Sequence, residues 1–388
     1  MRKKLLRLLL LLAMVITLGL MFVPGYVERQ FNKVVSAPPY EVSQADRALW
    51  DASPFIADLH SDALLWGRDL NKRTDNGHVD IPRLIEANVA LQAFTIVSKT
   101  PKGQNYDSNT DETDNITALM VVQGRSPKTW TSLLARGLDM AARLNKSASD
   151  NDAFQVIRSQ SGLRAYISDR VKNPKQSAGL LGVEGLHLLE GEIANVDKLY
   201  EAGFRMVAPV HFFDNEVGGS AHGAKKAGLT PFGKTVLAKA EKLSMLIDLS
   251  HGSSALISDV LDQATRPVIV SHTGVQATCE GDRNLSDAQL KRIADNGGLV
   301  GIAMFKQAVC SSDVSGTAKA IRHAVDVMGI DHVALGSDFD GAVTTPFDVT
   351  GLPLLVPALR AEGFSESEIQ AIIGGNTRDF LLANLPAQ

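Results

Sequence analysis

From residue 53 onward, short apolar runs alternate with longer amphipathic ones. The short runs are 55–60 (FIADLH), 89–97 (VALQAFTIV), 179–184 (GLLGVE) and 205–211 (RMVAPVH), followed by 245–250 (MLIDLS), 267–271 (PVIVS), 299–304 (LVGIAM) and 332–337 (HVALGS). They are continuously apolar, the pattern of strands buried on both faces. Between most of them lie helix-forming stretches such as 230–244 and 286–296. Thr230-Pro231 reads as an N-cap followed by proline at the first helical position, and Ser286 opens its helix in the same way. Strands alternating with helices predict a parallel sheet. Eight such units at this length predict an α/β fold with a closed (β/α)8 barrel.

Two segments depart from the alternation. Residues 100–160 begin with a polar stretch, KTPKGQNYDSNTDETDN from position 99, and continue as helices. They read as an insertion in the barrel that could lie over the active site. At the N-terminus, Arg2, Lys3, Lys4 and Arg7 precede an unbroken apolar run from Leu8 to Val23, closed by Pro24 and Gly25. A basic flank before an apolar segment predicts export. The run is near the lower limit for a spanning helix, and no small-x-small cleavage site follows closely. Residues 1–25 are therefore expected to be a retained membrane anchor, with a cleaved signal as the alternative. The positive flank would stay cytoplasmic and leave the rest on the periplasmic or outer side. Residues 26–52 read as a connector with one short helix, and 53–388 as the catalytic barrel.

Composition adds little beyond exclusions. The 388 residues are 45% hydrophobic and 21% charged, with a net charge of −4. This is an ordinary globular composition without the basic surface that nucleic acid would require. The two cysteines, Cys279 and Cys310, could pair in an oxidising compartment or stay unpaired.

The chemistry gathers where the predicted strands end. Strand one delivers His60 and Asp62, two residues apart and therefore on one side of an extended chain. Strand three delivers Glu184, strand four His211, strand five His251, strand six His272 and strand eight Asp338. In a (β/α)8 barrel these C-terminal ends form the active face. Burying so many ionisable groups at one rim is costly unless they are paired or metal-bound. The donor set suits zinc or a similar divalent ion, with too many ligands for one tetrahedral ion and enough for two sharing a carboxylate. His78 with Asp80 reads as a structural turn, and His332 as structural also. His187, His222 and His323 read as loop or helix-surface residues.

At this point the residues resemble the membrane dipeptidase family of zinc peptidases. The matching pieces are DLHSD, NGHVDIPRL, GVEG, HFFDNEVGGSAHG, GLTPFGKTVLAKAEKLSMLIDLSH, VIVSHTG, DRNLSD and GIDHVALGSDFDG, in order from about residue 45 to 384. The resemblance implies two zinc ions per chain. His60 and Asp62 would bind one, His251 and His272 the other, and Glu184 would bridge them, with a hydroxide between the ions as nucleophile. It also implies that His211 contacts the substrate carbonyl, that Arg283 grips the substrate's terminal carboxylate, and that Asp338 moves protons. Asp340, two residues on, competes for that last role. The implied activity is hydrolysis of dipeptides with a free C-terminal carboxylate, including those ending in a D-residue. The alternatives are a related metal-dependent amidase or lactamase acting on other small carboxylated substrates, and a catalytically silent barrel used for binding. A homodimer and membrane attachment through the N-terminal segment complete the expected partners.

Overall fold

The computed structural model describes residues 2–388, with side chains throughout from residue 22 onward. All eight expected strands form, six of them shorter than their apolar runs, one shifted by two residues and one, the third, two residues longer. They are β1 (Ala57–Asp58), β2 (Leu91–Phe94), β3 (Ser177–Glu184), β4 (Phe204–Ala208), β5 (Leu246–Ile247), β6 (Ile269–Thr273), β7 (Leu299–Ile302) and β8 (Val333–Leu335). Each pairs in parallel with its neighbour in the chain from β1 to β5, and again from β6 to β8. Two looser junctions complete the ring. A parallel bridge joins Asp248 to Ile269, beside a Leu249 N–H to Ile269 C=O bond of 2.8 Å. Leu59 N–H donates to Leu335 C=O at 2.9 Å, and Ser61 bridges Phe339. The result is the predicted closed (β/α)8 barrel.

One apolar cluster takes a residue from every strand: Ala57, Leu91, Leu180, Met206, Leu246, Ile269, Leu299 and Ala334. It plugs the barrel below the polar rim. A larger cluster lies between the strands and the surrounding helices. The backbone comes close where it must: a Cβ at Gly336 would meet the Ser271 carbonyl oxygen at 1.9 Å, so only glycine lets β8 approach the end of β6 this way. The expected caps are present. Thr230 accepts from Gly233 N–H at the start of helix Pro231–Lys242. Ser286 forms a full capping box with Gln289 at the start of Asp287–Asp295.

The insertion contains the polar loop, helices Ile116–Val122, Lys128–Thr131 and Leu133–Ser149, and a short strand, Phe154–Ile157. That strand pairs with the first half of β3, whose second half pairs with β4.

Among the described residues no helix is long and apolar enough to cross a membrane. The run Leu8–Val23, read above as anchor or signal, lies largely outside the residues whose side chains are described. The first helix does not stop at Pro24 but runs from Arg2 to Phe31. Proline forfeits one helical hydrogen bond, and tertiary contacts just beyond it hold the last turns in place. Buried Glu28 accepts from Arg68 Nε at 2.6 Å, and the ring of Phe31 stacks on Trp66. Immediately after, Lys33–Val34 pairs with Thr344–Thr345, past the end of β8.

Cys279 and Cys310 form a disulfide. It ties the loop after β6 to the loop after β7 and closes a loop of 31 residues. On chain-entropy grounds, replacing both cysteines by serine should cost about 3–4 kcal/mol. Urea unfolding of the double variant against the oxidised protein measures this, and superimposable transitions would contradict it.

Candidate metal centre

The rim at the C-terminal ends of the strands is built around one carboxylate. Glu184, the last residue of β3, is buried. His251 Nε2 lies 3.2 Å, His60 Nε2 3.5 Å and His272 Nε2 3.6 Å from its Oε1, and His211 Nε2 lies 3.2 Å from its Oε2. Asp62 Oδ1 is 3.6 Å from His60 Nε2, and Asp338 Oδ1 is 3.9 Å from the same nitrogen. His251 and His272 face each other through their Nε2 atoms at 3.1 Å.

These spacings fit metal ligands. Donors held 2.0–2.2 Å from a tetrahedral ion lie roughly 3.3–3.6 Å from one another. Three sets of three donors lie within 4.8 Å of one another: His60 with Asp62 and Glu184, Glu184 with His211 and His251, and His60 with His272 and Asp338. Glu184 Oε1 has no hydrogen-bond partner although it is buried, and neither do His251 Nδ1 and His211 Nδ1.

Electrostatics agrees. Burial lifts the Glu184 carboxyl well above its ordinary value, with His60 pulling against it. Burial likewise lifts Asp338 to about 7, again opposed by His60. Burial alone would keep His60 neutral, but Glu184, Asp62 and Asp338 outweigh it and carry the imidazole up to about 10. His211, His251 and His272 fall well below their ordinary value because they are buried. Three imidazoles that burial keeps neutral, beside carboxyls whose protons burial helps to hold until a cation replaces them, suit a donor set for divalent ions.

Neighbouring hydroxyls aim the imidazoles. Ser271 Oγ lies 2.9 Å from His60 Nδ1 and 3.1 Å from His272 Nδ1, so both rings turn Nε2 inward. Ser271 is fixed in turn by Ser250 and by Asp248, which accepts from its backbone N–H. Thr95 donates to Asp62 Oδ1 at 2.7 Å. It stands just past β2, a strand to which sequence reading assigned no site residue. A hydroxyl is too common a side chain to be singled out by type alone.

Arg283 follows β6 and is buried. One guanidinium nitrogen donates to His272 C=O at 2.9 Å, while its Nε has no partner. The structure thus brings together all eight expected residues. It also separates Asp338 from Asp340. The Asp340 carboxylate faces away, accepting from the backbone N–H groups of His78 at 2.7 Å and Val79 at 3.1 Å and pairing with Arg68. His78 and Asp80 are structural as expected, with Asp80 capping helix Ile81–Glu86. His323 stays on a helix surface, paired with Asp287. His187 and His222, however, are buried rather than on the surface. His187 meets Ser98 at 2.9 Å and packs on Phe213, while His222 stacks on Phe212 beside His251.

The chain is similar to known peptidases along most of its length. It is 28% identical to dipeptidase tcpJ of Claviceps purpurea over 310 residues, covering 77% of this chain and 68% of that one. It is 31% identical to dipeptidase 3 of Mus musculus over 221 residues, 54% of this chain and 45% of the mouse protein. In fold it resembles a metallo peptidase from Rhodobacter sphaeroides solved with a phosphinate mimic of the dipeptide L-Ala-D-Ala. The TM-score is 0.68 at 24% identity, covering 85% of this chain and 99% of the other. Residues 44–379 match the membrane dipeptidase family, peptidase family M19. That match takes in every residue of the rim, and the chain belongs to the membrane dipeptidase family of metallopeptidases.

Proposed function

We propose that this peptide hydrolase is a two-metal dipeptidase that cleaves dipeptides carrying a free C-terminal carboxylate. The observation that carries the reading is Glu184, with imidazoles against both of its carboxylate oxygens and a buried guanidinium with a spare donor close by. His60 and Asp62 would hold one ion, His251 and His272 the other, with Glu184 shared between them. Imidazole and carboxylate donors favour zinc. Two such ions would supply a water acidified to neutral pH and a Lewis acid for the scissile carbonyl.

The chain's own residues do the rest. His211, against the outer oxygen of Glu184, is within reach of the scissile carbonyl and can stabilise charge developing there. Asp338, lifted to about 7, is suited to take a proton near neutral pH and return it to the leaving amine. Arg283 offers Nε–H to the terminal carboxylate in a setting where water cannot compete. The distance from the scissile bond to that carboxylate then allows one residue on the leaving side. The Rhodobacter neighbour's phosphinate ligand supports including substrates with a C-terminal D-residue. The basic flank and apolar run ahead of the barrel support attachment to the cytoplasmic membrane with the barrel outside.

Purified protein should carry about two divalent ions per chain, and chelation should abolish activity until metal is restored. Glu184→Gln should weaken both sites by more than the hundredfold that losing an outer partner costs. One tightly held ion with full activity would refute the two-metal reading. Arg283→Lys keeps the charge but loses the fork, so kcat/KM on a dipeptide should fall about 10–100-fold at unchanged metal content. Equal rates of the unaltered enzyme on a dipeptide and its C-terminal amide would show that Arg283 does not hold the carboxylate. The native protein should stay with membranes after a salt wash, and a mature N-terminus beyond Gly25 would refute the anchor.

A further inference from the structure

The polar loop of the insertion bends back over the rim. Its turn is tied internally: Asn105 Oδ1 accepts the backbone N–H of Asp107 at 2.9 Å and of Ser108 at 2.8 Å, and Asn109 Oδ1 accepts that of Asn105 at 3.0 Å. The turn is fastened to the loop after β4 through one residue. The backbone N–H of Asn109 and its side-chain amide both donate to His222 C=O, at 2.8 and 2.9 Å. His222 Nδ1 lies 2.9 Å from Tyr106 C=O. A carbonyl can only accept, so the proton of this imidazole sits on Nδ1.

That fastening sets the direction of the Tyr106 side chain. Its ring stands edge-on to Phe212 at 5.7 Å and to His222 at 5.2 Å. Phe212 lies 4.9 Å from His211 and 5.3 Å from His251, so Tyr106 is one aromatic ring away from the central histidines. Its hydroxyl makes no hydrogen bond within the described residues. Burial pushes the phenol up to about 12, with Asp338 adding to the effect and Arg283 opposing it. The hydroxyl is thus a protonated donor whose ring stands one aromatic ring from His211 and His251, within the fields of Asp338 and Arg283.

Resting on the dipeptidase reading, we propose that Tyr106 is a substrate-binding residue that sets specificity. Its hydroxyl donates to the carboxylate that Arg283 grips, its ring roofs the pocket over the C-terminal residue, and His222 is the positioning residue that holds it there. The polar insertion is then part of the binding site, and chain-length selection comes from its roof as well as from Arg283.

The test compares kcat and KM on a dipeptide and its C-terminal amide, with metal content measured throughout. Tyr106→Phe should raise KM for the dipeptide about tenfold, the scale of one hydrogen bond to a charged group. It should leave kcat, metal content and the amide's kinetics nearly unchanged, so the preference for the free acid shrinks by the same factor. His222→Leu should reproduce that shift. His222→Asn, whose amide N–H can replace Nδ1–H, should restore the native value. If the unaltered enzyme prefers the acid and Tyr106→Phe keeps that preference in full, the Tyr106 proposal falls while the dipeptidase reading stands. No preference in the unaltered enzyme overturns both. An Asn variant as impaired as the Leu variant removes the role of His222. Loss of metal in the Phe variant marks a structural effect and overturns the proposal as well.

Discussion

A carboxylate shut away from water must be given positive charge or a proton, and the rim of this barrel is organised around that demand at Glu184. Its neighbours are three imidazoles that burial keeps neutral, a fourth, His60, that the acids hold protonated, and two further carboxylates, Asp62 and Asp338. Among the described residues, Arg283 is the permanent cation brought near. One guanidinium cannot balance three acids, so the carboxylates must take up protons or be completed by bound cations, and the imidazoles beside them suit the second. Glu184, Asp62 and Asp338 carry His60 to about 10 against its burial, and burial lifts Asp338 to about 7. These shifts read best as the field of a site built for cations.

The barrel meets the demand by dividing labour along each strand. The lower positions of all eight strands supply the apolar plug, which fixes the strand ends relative to one another. The rim residues then come at the last positions of the strands, as Glu184 and His272 do, or in the loops that follow. Two of these residues take backbone conformations that ordinary side chains avoid: His251 at φ 62° and Asp338 at φ 63°. Left-handed backbone costs on the order of 1 kcal/mol at a non-glycine residue. It is tolerable here because the surrounding turns are pinned, as where Ser220 bridges Gly252 beside His251. The left-handed turn brings each side chain to the rim three or four residues past the end of its strand.

Much of this was legible in the sequence because the relevant signals are local. An apolar run ending in His, Glu or Asp reveals both a strand and its polar end, so the eight strands and seven of the residues gathered at the rim could be read directly, while Arg283 came only with the family resemblance. Helix starts at Thr230 and Ser286 were equally plain, since capping is decided within four residues. What could not be read depends on distant packing. His222 looked like a loop residue because nothing nearby in sequence shows that Phe212 and the 105–109 turn bury it. Thr95 and Ser271 gave no signal, since their importance lies in which imidazole they touch. The helix end at Phe31 escaped because Pro24-Gly25 is a strong local stop, overridden by contacts between Glu28 and Arg68 and between Phe31 and Trp66.

The turn SDFDG after β8 shows how closely stability and chemistry are joined. Its two aspartates both have left-handed backbone and sit two residues apart, yet they do opposite work. Asp338 turns inward beside His60. Asp340 turns outward to Arg68 and to the backbone of His78 and Val79, while its own N–H donates to His78 Nδ1 at 2.9 Å and its carbonyl accepts from Trp66 Nε1 at 2.7 Å. The outward residue therefore fixes the turn that aims the inward one. Arg68 carries that anchorage on to Glu28, in the last turns of the first helix. The first helix thus ends in a buried ion pair, one residue removed from the turn that carries Asp338. That coupling accounts for the helix continuing past its proline: the Glu28–Arg68 pair and the Phe31–Trp66 stack hold its last turns against the barrel.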